Sequence, residues 1–374
     1  MGDVADLPVK SRTRLSDGRS GRGGRSPHGG FWDDPSGLAQ RIAGVPQPSR
    51  TSWYRIGDGT LAIQSDNRPF RDRFQLLFGE CRVAAPLAAP RVRCRVQSIS
   101  TPAVSLVTFD DAEPLDQVAF AQSVFVDRGY RIAPSPVVGW HLVSPSGDPP
   151  LLAMAEGRIL ARRRGPWQGF VGSLAVNRVL RTHRDAIFFH AAAIGIGDAG
   201  LLMTGIKGGG KTTLALALAA RGHAYFGDEM TGVRIGSGEI IPLRRAASVR
   251  DGPRAQAVAQ ALRRRRYNTE RFPDGSRRAR VPVGRLLPQA ATRPARLRHV
   301  LVLRRFATTP RLETFAPGPE HLQFLSPLAC SLWHVPPARR AMQILSLLAG
   351  AHCSFLDVGP PDATADLLQR MVEG

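Results

Sequence analysis

From Thr51 to about Arg164, apolar and polar residues alternate in short runs. "TLAIQS", "PRVRCRVQSI", "VSLVTF", "VAFAQSVFVD" and "GWHLVS" are β-branched or alternate with a period of two, and Gly, Pro and Asp clusters separate them. This pattern predicts a strand-rich N-terminal module over residues 51–164. The period changes after Pro166. Residues 168–183, "QGFVGSLAVNRVLRTH", place Phe170, Val171, Leu174, Val179 and Leu180 on one helical face. "AIFFHAAAIGIGDAGLLMTG" reads as two strands joined by a tight turn at residues 197–200, and the second runs into a glycine-rich loop. "TTLALALAARG" then predicts an apolar helix stopped at Gly222. Beyond it the pattern predicts strands in "HAYFGDE", "TGVRI", "EIIPL", "LRHVLVLRRF" and "CSFLDVG". Helices are expected at 253–266, near 319–333, at 337–349 and at 361–373. Such mixing over residues 165–374 predicts an α/β domain of P-loop type. Residues 1–48, rich in Gly, Ser, Pro and Arg, cannot bury enough apolar area to order themselves and predict a disordered tail.

Composition adjusts this picture in three places. The 374 residues suffice for one large or two ordinary domains. No run approaches the ~18 apolar residues of a membrane span, and the first residues lack the apolar segment of a secretory signal. No membrane association and a cytoplasmic location are therefore expected. Cys81, Cys94, Cys330 and Cys353 form no C-x-x-C pair and are expected as buried thiols. The net charge of +21 invites nucleic acid as a partner. However, lysine occurs only at Lys10, Lys207 and Lys211, so the basicity is an arginine bias, and no aromatic-plus-basic stripe accompanies it. Nucleic acid is not the expected partner. The same bias makes the two lysines of "MTGIKGGGKTTL" informative, because a compact ammonium suits phosphate oxygens.

That stretch meets G-x-x-x-x-G-K-[ST] with Gly205, Gly210, Lys211 and Thr212. Glycines let backbone N–H groups crowd a phosphate, Lys211 would pair with β- and γ-phosphate oxygens, and the Thr212 hydroxyl would ligate Mg²⁺. The candidate nucleotide-binding set is Gly205, Lys207, Gly208, Gly209, Gly210, Lys211, Thr212 and Thr213. A second carboxylate site is expected at the end of a neighbouring strand. "AYFGDE" supplies Asp228 and Glu229 for metal or proton. His190, before the strand pair that enters the loop, is a candidate for proton transfer near the phosphates.

Taken together, "FFHAAAIGIGDAGLLMTGIKGGGKTTLALALAARGHAYFGDE" resembles the HPr kinase/phosphorylase superfamily, and more closely its HPr-kinase-related branches, which include kinases of ribosomal peptide precursors. "EIIPLRRAASVR" is similar to the family's later strand and basic segment. The resemblance implies a P-loop kinase domain of HPr-kinase-like type beside the strand-rich module. It also implies ATP and Mg²⁺, transfer to a serine hydroxyl of a protein or peptide, and a ring of subunits as a permitted assembly. His190, Lys211, Asp228 and Glu229 would be catalytic, and Thr212, Asp228 and Glu229 the metal ligands. Base and metal ligand are not assigned between the two carboxylates. Arg245 and Arg250 would neutralise phosphate charge. The family carries two Asp where this chain has Asp228-Glu229, and a hydroxyl residue at Lys207. Two other readings use the same loop. An assembly or partitioning ATPase is suggested by "KGGGKTT", although Lys207 stands one residue too close to Lys211 for that class. A non-catalytic nucleotide-binding regulator would have no need of His190, Asp228 and Glu229. The basic C-terminal half is the expected dock for an acidic peptide.

Overall fold

The computed structural model describes residues 32–111, 115–125, 130–145, 150–163, 167–206, 208–250, 268–271, 277–332 and 335–374. The fold is mixed α/β. Its N-terminal half is one nine-stranded sheet. The strands are β1 (Thr51–Ile56), β2 (Gly59–Ser65), β3 (Arg82–Val83), β4 (Val92–Ile99), β5 (Val104–Asp111), β6 (Tyr130–Pro134), β7 (His141–Pro145), β8 (Leu152–Ala155) and β9 (Arg158–Arg162). Their order is β3-β1-β2-β4-β5-β9-β8-β7-β6, and every neighbour is antiparallel except the pair β2–β4. A parallel pair needs a crossover, and α2 (Arg68–Phe78) supplies it.

Helix α2 forms because Asn67 caps it, its side chain accepting from the Phe70 N–H, and because Phe70, Phe74, Leu77 and Phe78 recur at helical spacing. It packs with α4 (Trp167–Leu180) on one face of the sheet, where Phe70 stacks on Trp167 at 5.7 Å and Phe74 meets Phe78 at 4.8 Å. Each fully buried ring contributes about 2–3 kcal/mol. The opposite face is covered by α1 (Pro35–Ala43), whose Leu38, Ala39 and Ile42 bury with Trp32 against Val104, Leu106 and Trp140. Adjacent residues of β5 serve the two layers, Leu106 one and Val107 the other. Buried Arg178 of α4 ties this half together through a bidentate pair with Asp111 at 2.6 and 2.7 Å.

The C-terminal half is built on a six-stranded sheet of β11 (Ala192–Ile196), β12 (Ala199–Gly205), β13 (Ala224–Gly227), β19 (Arg296–Phe306), β20 (Arg311–Phe315) and β21 (His352–Val358). Its order is β13-β11-β12-β19-β21-β20, with β12, β19 and β21 mutually parallel. Helices α5 (Lys211–Ala220) and α7 (Pro361–Glu373) fill one face, and α6 (Pro337–Leu348) the other. Two three-stranded sheets complete it. One holds β10 (Ala186–Phe189), β14 (Thr231–Arg234) and β15 (Ile240–Ile241). The second holds β16 (Ala247–Arg250), β17 (Asn268–Arg271) and β18 (Arg277–Val281).

Four expectations change. Residues 118–127 were expected as a strand, but Gln117–Phe125 form helix α3, because Asp116 Oδ1 accepts from the N–H groups of Val118 and Ala119. The tail expected over 1–48 contains α1; Trp32, Leu38 and Ile42 bury enough surface to order it, while residues 1–31 lie outside the described residues. Helix α4, expected to open the second domain, packs on the N-terminal sheet, and Phe188, Ile241 and Leu243 from beyond it join the same core. The two strands expected over 186–205 are three, because β10 leaves to pair with β14. The basic helix expected at 253–266 lies outside the described residues. Cys81, Cys94 and Cys353 are buried, and burial pushes the Cys81 and Cys94 thiols up to about 12.

Candidate active site

Strand β12 is buried between β11 and β19 and delivers the chain at Gly205 into the glycine-rich loop. The backbone there requires glycine. Gly205 has φ +139°, and a Cβ on it would stand 2.6 Å from the Leu303 carbonyl oxygen. Gly210 has φ +99° and starts α5 without any side-chain cap. The first-turn N–H groups of this ten-residue helix are therefore open to an anion, with the positive end of its dipole behind them. Lys211 is buried and folds back over the loop, its Nζ donating to the Gly205 carbonyl at 2.8 Å and the Ile206 carbonyl at 3.1 Å. Burial lowers its pKa, while Asp228 and Glu229 act the other way.

The acidic pair follows β13, which lies next to β11 in the same sheet. Asp228 is buried; its Oδ1 accepts from the Tyr225 hydroxyl at 3.0 Å, and its carboxylate also accepts from the Thr212 hydroxyl. Burial and the neighbouring Glu229 charge raise its pKa, and the two hydroxyls partly offset them. Glu229 behaves oppositely. Burial works against its charge, but Arg245, Arg280, His190 and Arg278 together hold it below the usual carboxylate range. Its Oε2 lies 2.6 Å from Arg245 Nη1. His190 sits in the bend between β10 and β11, with its backbone N–H on the Leu328 carbonyl at 2.6 Å. Burial lowers its pKa, and Lys211 and Arg245 reinforce this; the Glu229 charge and a ring hydrogen bond to the Glu229 backbone oppose it. The ring is thus neutral near pH 7.

The structure gathers His190, Lys211, Thr212, Asp228, Glu229 and Arg245 into one electrostatic cluster. Arg250, the exposed last residue of β16, is at the loop: its Nη1 is 3.9 Å from where a Cβ on Gly208 would be. Gly208, Gly209 and Thr213 stand in the loop or the first turn of α5, and Lys207 lies outside the described residues. Thr212 and Asp228, joined by a hydrogen bond, are the hard-oxygen side chains that would hold a divalent cation. Among the described residues no group of three His, Cys, Asp or Glu surrounds a point, so such a cation would complete its shell with phosphate oxygens and water, as Mg²⁺ does.

Sequence reasoning missed Tyr225, Arg73 and Arg280. Arg73 reaches this region from α2 of the N-terminal half. It forms an ion pair with Glu270, which also accepts from Arg280 Nε at 3.0 Å. Burial and the charges of Arg280 and Arg245 bring Arg73 down to about 10. The same helix end supports residues 244–246. The Ala246 N–H donates to the Leu77 carbonyl at 2.8 Å, Arg245 lies over the Phe78 ring at 5.6 Å, and Glu80 accepts from Arg244 Nε at 3.0 Å and the Gly284 N–H at 2.7 Å. In an arginine-rich chain nothing singled out Arg73 or Arg280. The spacing of Tyr225 three residues before Asp228 was the one readable signal.

No family model matches the chain, and no curated protein matches it significantly. Among solved structures, the HPr(Ser) kinase/phosphatase from Coxiella burnetii aligns at 15% identity over 50% of this chain and 88% of its own, with a TM-score of 0.26. A likeness that slight decides neither the reaction nor the substrate. No helix among the described residues is long and apolar enough to cross a membrane.

Proposed function

We propose that the protein is an ATP-dependent kinase that transfers the γ-phosphoryl group to a serine hydroxyl of a protein or ribosomal peptide precursor. One observation carries this reading: a glycine-rich loop and helix N-terminus stand directly beside a buried carboxylate, with a second ionised carboxylate and a neutral histidine next to them. A nucleotide switch needs only the first of these. The open N–H groups of α5 and Lys211 bind the β- and γ-phosphates, and Lys211 exchanges its two loop carbonyls for phosphate oxygens. Thr212 and Asp228 would hold Mg²⁺, which would supply charge neutralisation on the transferring phosphoryl group. The ion pair with Arg245 leaves Glu229 free of the metal; neutral His190 takes the single proton of the acceptor hydroxyl, and the Glu229 charge beside it stabilises the imidazolium that forms. The serine oxygen forms its bond to the γ-phosphorus as the bond to the β–γ bridging oxygen breaks, and ADP leaves. Arg250, beside Gly208, stabilises the charge spread over the equatorial oxygens.

The test is incubation with γ-labelled ATP, Mg²⁺ and serine-containing peptides, read by mass spectrometry. Phosphoserine is expected, with Lys211→Ala and Thr212→Ala lowering turnover by at least about 100-fold. ATP hydrolysis without an acceptor, or tight ATP binding without turnover, would overturn the assignment.

A further inference from the structure

Phosphoryl transfer leaves unused a groove on the N-terminal half, about 490 Å³ in volume. Strand β1 lines it with Thr51 and Ser52, and α2 with Arg71, Asp72 and Gln75; Arg50 and Arg82 complete the cationic lining. On its inner side β1 pairs with β2 along its whole length. On its outer side, among the described residues, only Trp53 and Tyr54 are paired, with the two-residue strand β3. The ladder positions at Thr51 and Ser52 are therefore open at the sheet edge, and an open edge is a template for another extended chain.

Charge selects which chain. Three arginines stand against one aspartate, and Asp72 is already engaged by Arg68 at 3.4 Å. Arg71 is held in place by donating to the Ser65 carbonyl at 2.7 Å, while Arg50 and Arg82 are exposed. Position selects the purpose. Arg71, Asp72 and Gln75 are on the groove, whereas Arg73, Leu77 and Phe78 of the same helix reach Glu270 and the Arg244–Ala246 segment at the candidate active site. A helix is roughly 10 Å across, and an extended chain covers about 3.3 Å per residue. A few residues of peptide span that distance.

We propose that this groove docks an acidic segment of the substrate, which adds to the edge of β1 at Thr51 and Ser52 and presents carboxylates to Arg50, Arg71 and Arg82. Main-chain bonds give the affinity and the alternate side chains the specificity. That the occupant is the substrate rests on the kinase reading; the groove itself does not.

The probe is a fluorescein-labelled peptide of alternating Glu and Thr, about ten residues long, added to the full chain and followed by anisotropy. A Lys/Thr peptide and a thymidine oligonucleotide serve as comparisons. Binding of the Glu/Thr peptide alone is expected. The variant carrying both Arg50→Glu and Arg82→Glu should weaken it by about tenfold or more, with an unchanged melting temperature. N-methylation at alternate backbone nitrogens of the peptide should abolish binding in one of the two sets of positions and spare the other. Absence of binding, indifference to the double variant, equal tolerance of both N-methylated sets, or tighter binding of the oligonucleotide would each overturn the proposal. Transfer assays separate the two readings. With a serine peptide extended by the Glu/Thr segment, the double variant should raise KM about tenfold and leave kcat unchanged. Capture without any transfer supports the groove and removes the kinase. Transfer whose KM ignores both the acidic segment and the variant removes the groove and leaves the kinase.

Discussion

Asp228 carries a carboxylate where the fold disfavours its charge. Its carboxylate is buried beside Glu229, and the two hydroxyls that bond to it do not offset the burial. The ionised form therefore destabilises the folded chain. Asp228→Asn keeps the shape and an oxygen that accepts from Tyr225, and removes the charge. In EDTA this variant should melt about 2 °C or more above the wild type, while phosphoryl transfer falls to background. A melting temperature at or below that of the wild type would show that the charge is balanced in the folded protein and that Asp228 is structural. Glu229, one residue further, is held ionised by Arg245. The order Asp-Glu thus places two carboxylates in opposite electrostatic surroundings.

Among the elements, α2 supports the site from the N-terminal half. Leu77 and Phe78 at its end, with Glu80 in the turn that follows, position Arg244, Arg245 and Ala246. Removing the half-buried Glu80 carboxylate by Glu80→Ala leaves the Arg244 guanidinium and the Gly284 N–H without it, at a cost of about 2–4 kcal/mol. Denaturant titration should show that loss, and kcat should fall more than nucleotide affinity because Arg245 loses its support. Glu80→Gln, which still accepts from Gly284, should recover about half. Unchanged kcat in a folded Glu80→Ala would rule out a positioning role. The contrast with α5 shows what was legible in the sequence. Strand β12, the glycine-rich loop, α5 and β13 could be read in order, because the angles at Gly205 and Gly210 demand glycine and an apolar run such as "LALALAA" has one place to go. Helix α2 carries an equally regular pattern in Phe70, Phe74, Leu77 and Phe78, but it lies among strands, where a period-two reading dominates. Helix α3 was hidden because "VAFAQSVF" suits either state and the decision falls to the Asp116 cap. Arg73 and Arg280 were hidden for another reason. Glu270 comes from a distant part of the chain relative to Arg73, and pairing across such a separation leaves no local trace, whereas Arg280 meets Glu270 across the adjacent β17–β18 pair and was hidden only by the abundance of arginine around it.

At the scale of the whole molecule, the two halves share a core rather than a linker. Phe188, Ile241 and Leu243 of the C-terminal half are buried with Phe74, Trp167 and Leu174 of the N-terminal half, and Arg234 pairs with Asp58 across the same junction. Packing this continuous couples the unfolding of one half to that of the other. Four of the five tryptophans, Trp32, Trp53, Trp140 and Trp167, precede the candidate nucleotide site by at least a strand. Tryptophan fluorescence therefore reports mainly on the N-terminal half, with Trp333 the one contribution from the other. ADP with Mg²⁺ at about 100 times its dissociation constant adds roughly 2.7 kcal/mol to the state that binds it. With a shared core, that increment should appear in the tryptophan-detected transition, raising its midpoint together with the far-UV signal of the whole chain. Were the halves independent, the nucleotide would leave the tryptophan midpoint in place and split the unfolding into two transitions. Lys211→Ala should remove the shift without altering the midpoint seen in the absence of nucleotide by more than about 2 °C. A coupled shift would mean that loading of the phosphate loop and the rigidity of the groove beside α2 are set by one folding equilibrium, so that nucleotide binding stabilises the surface proposed to dock an acidic segment.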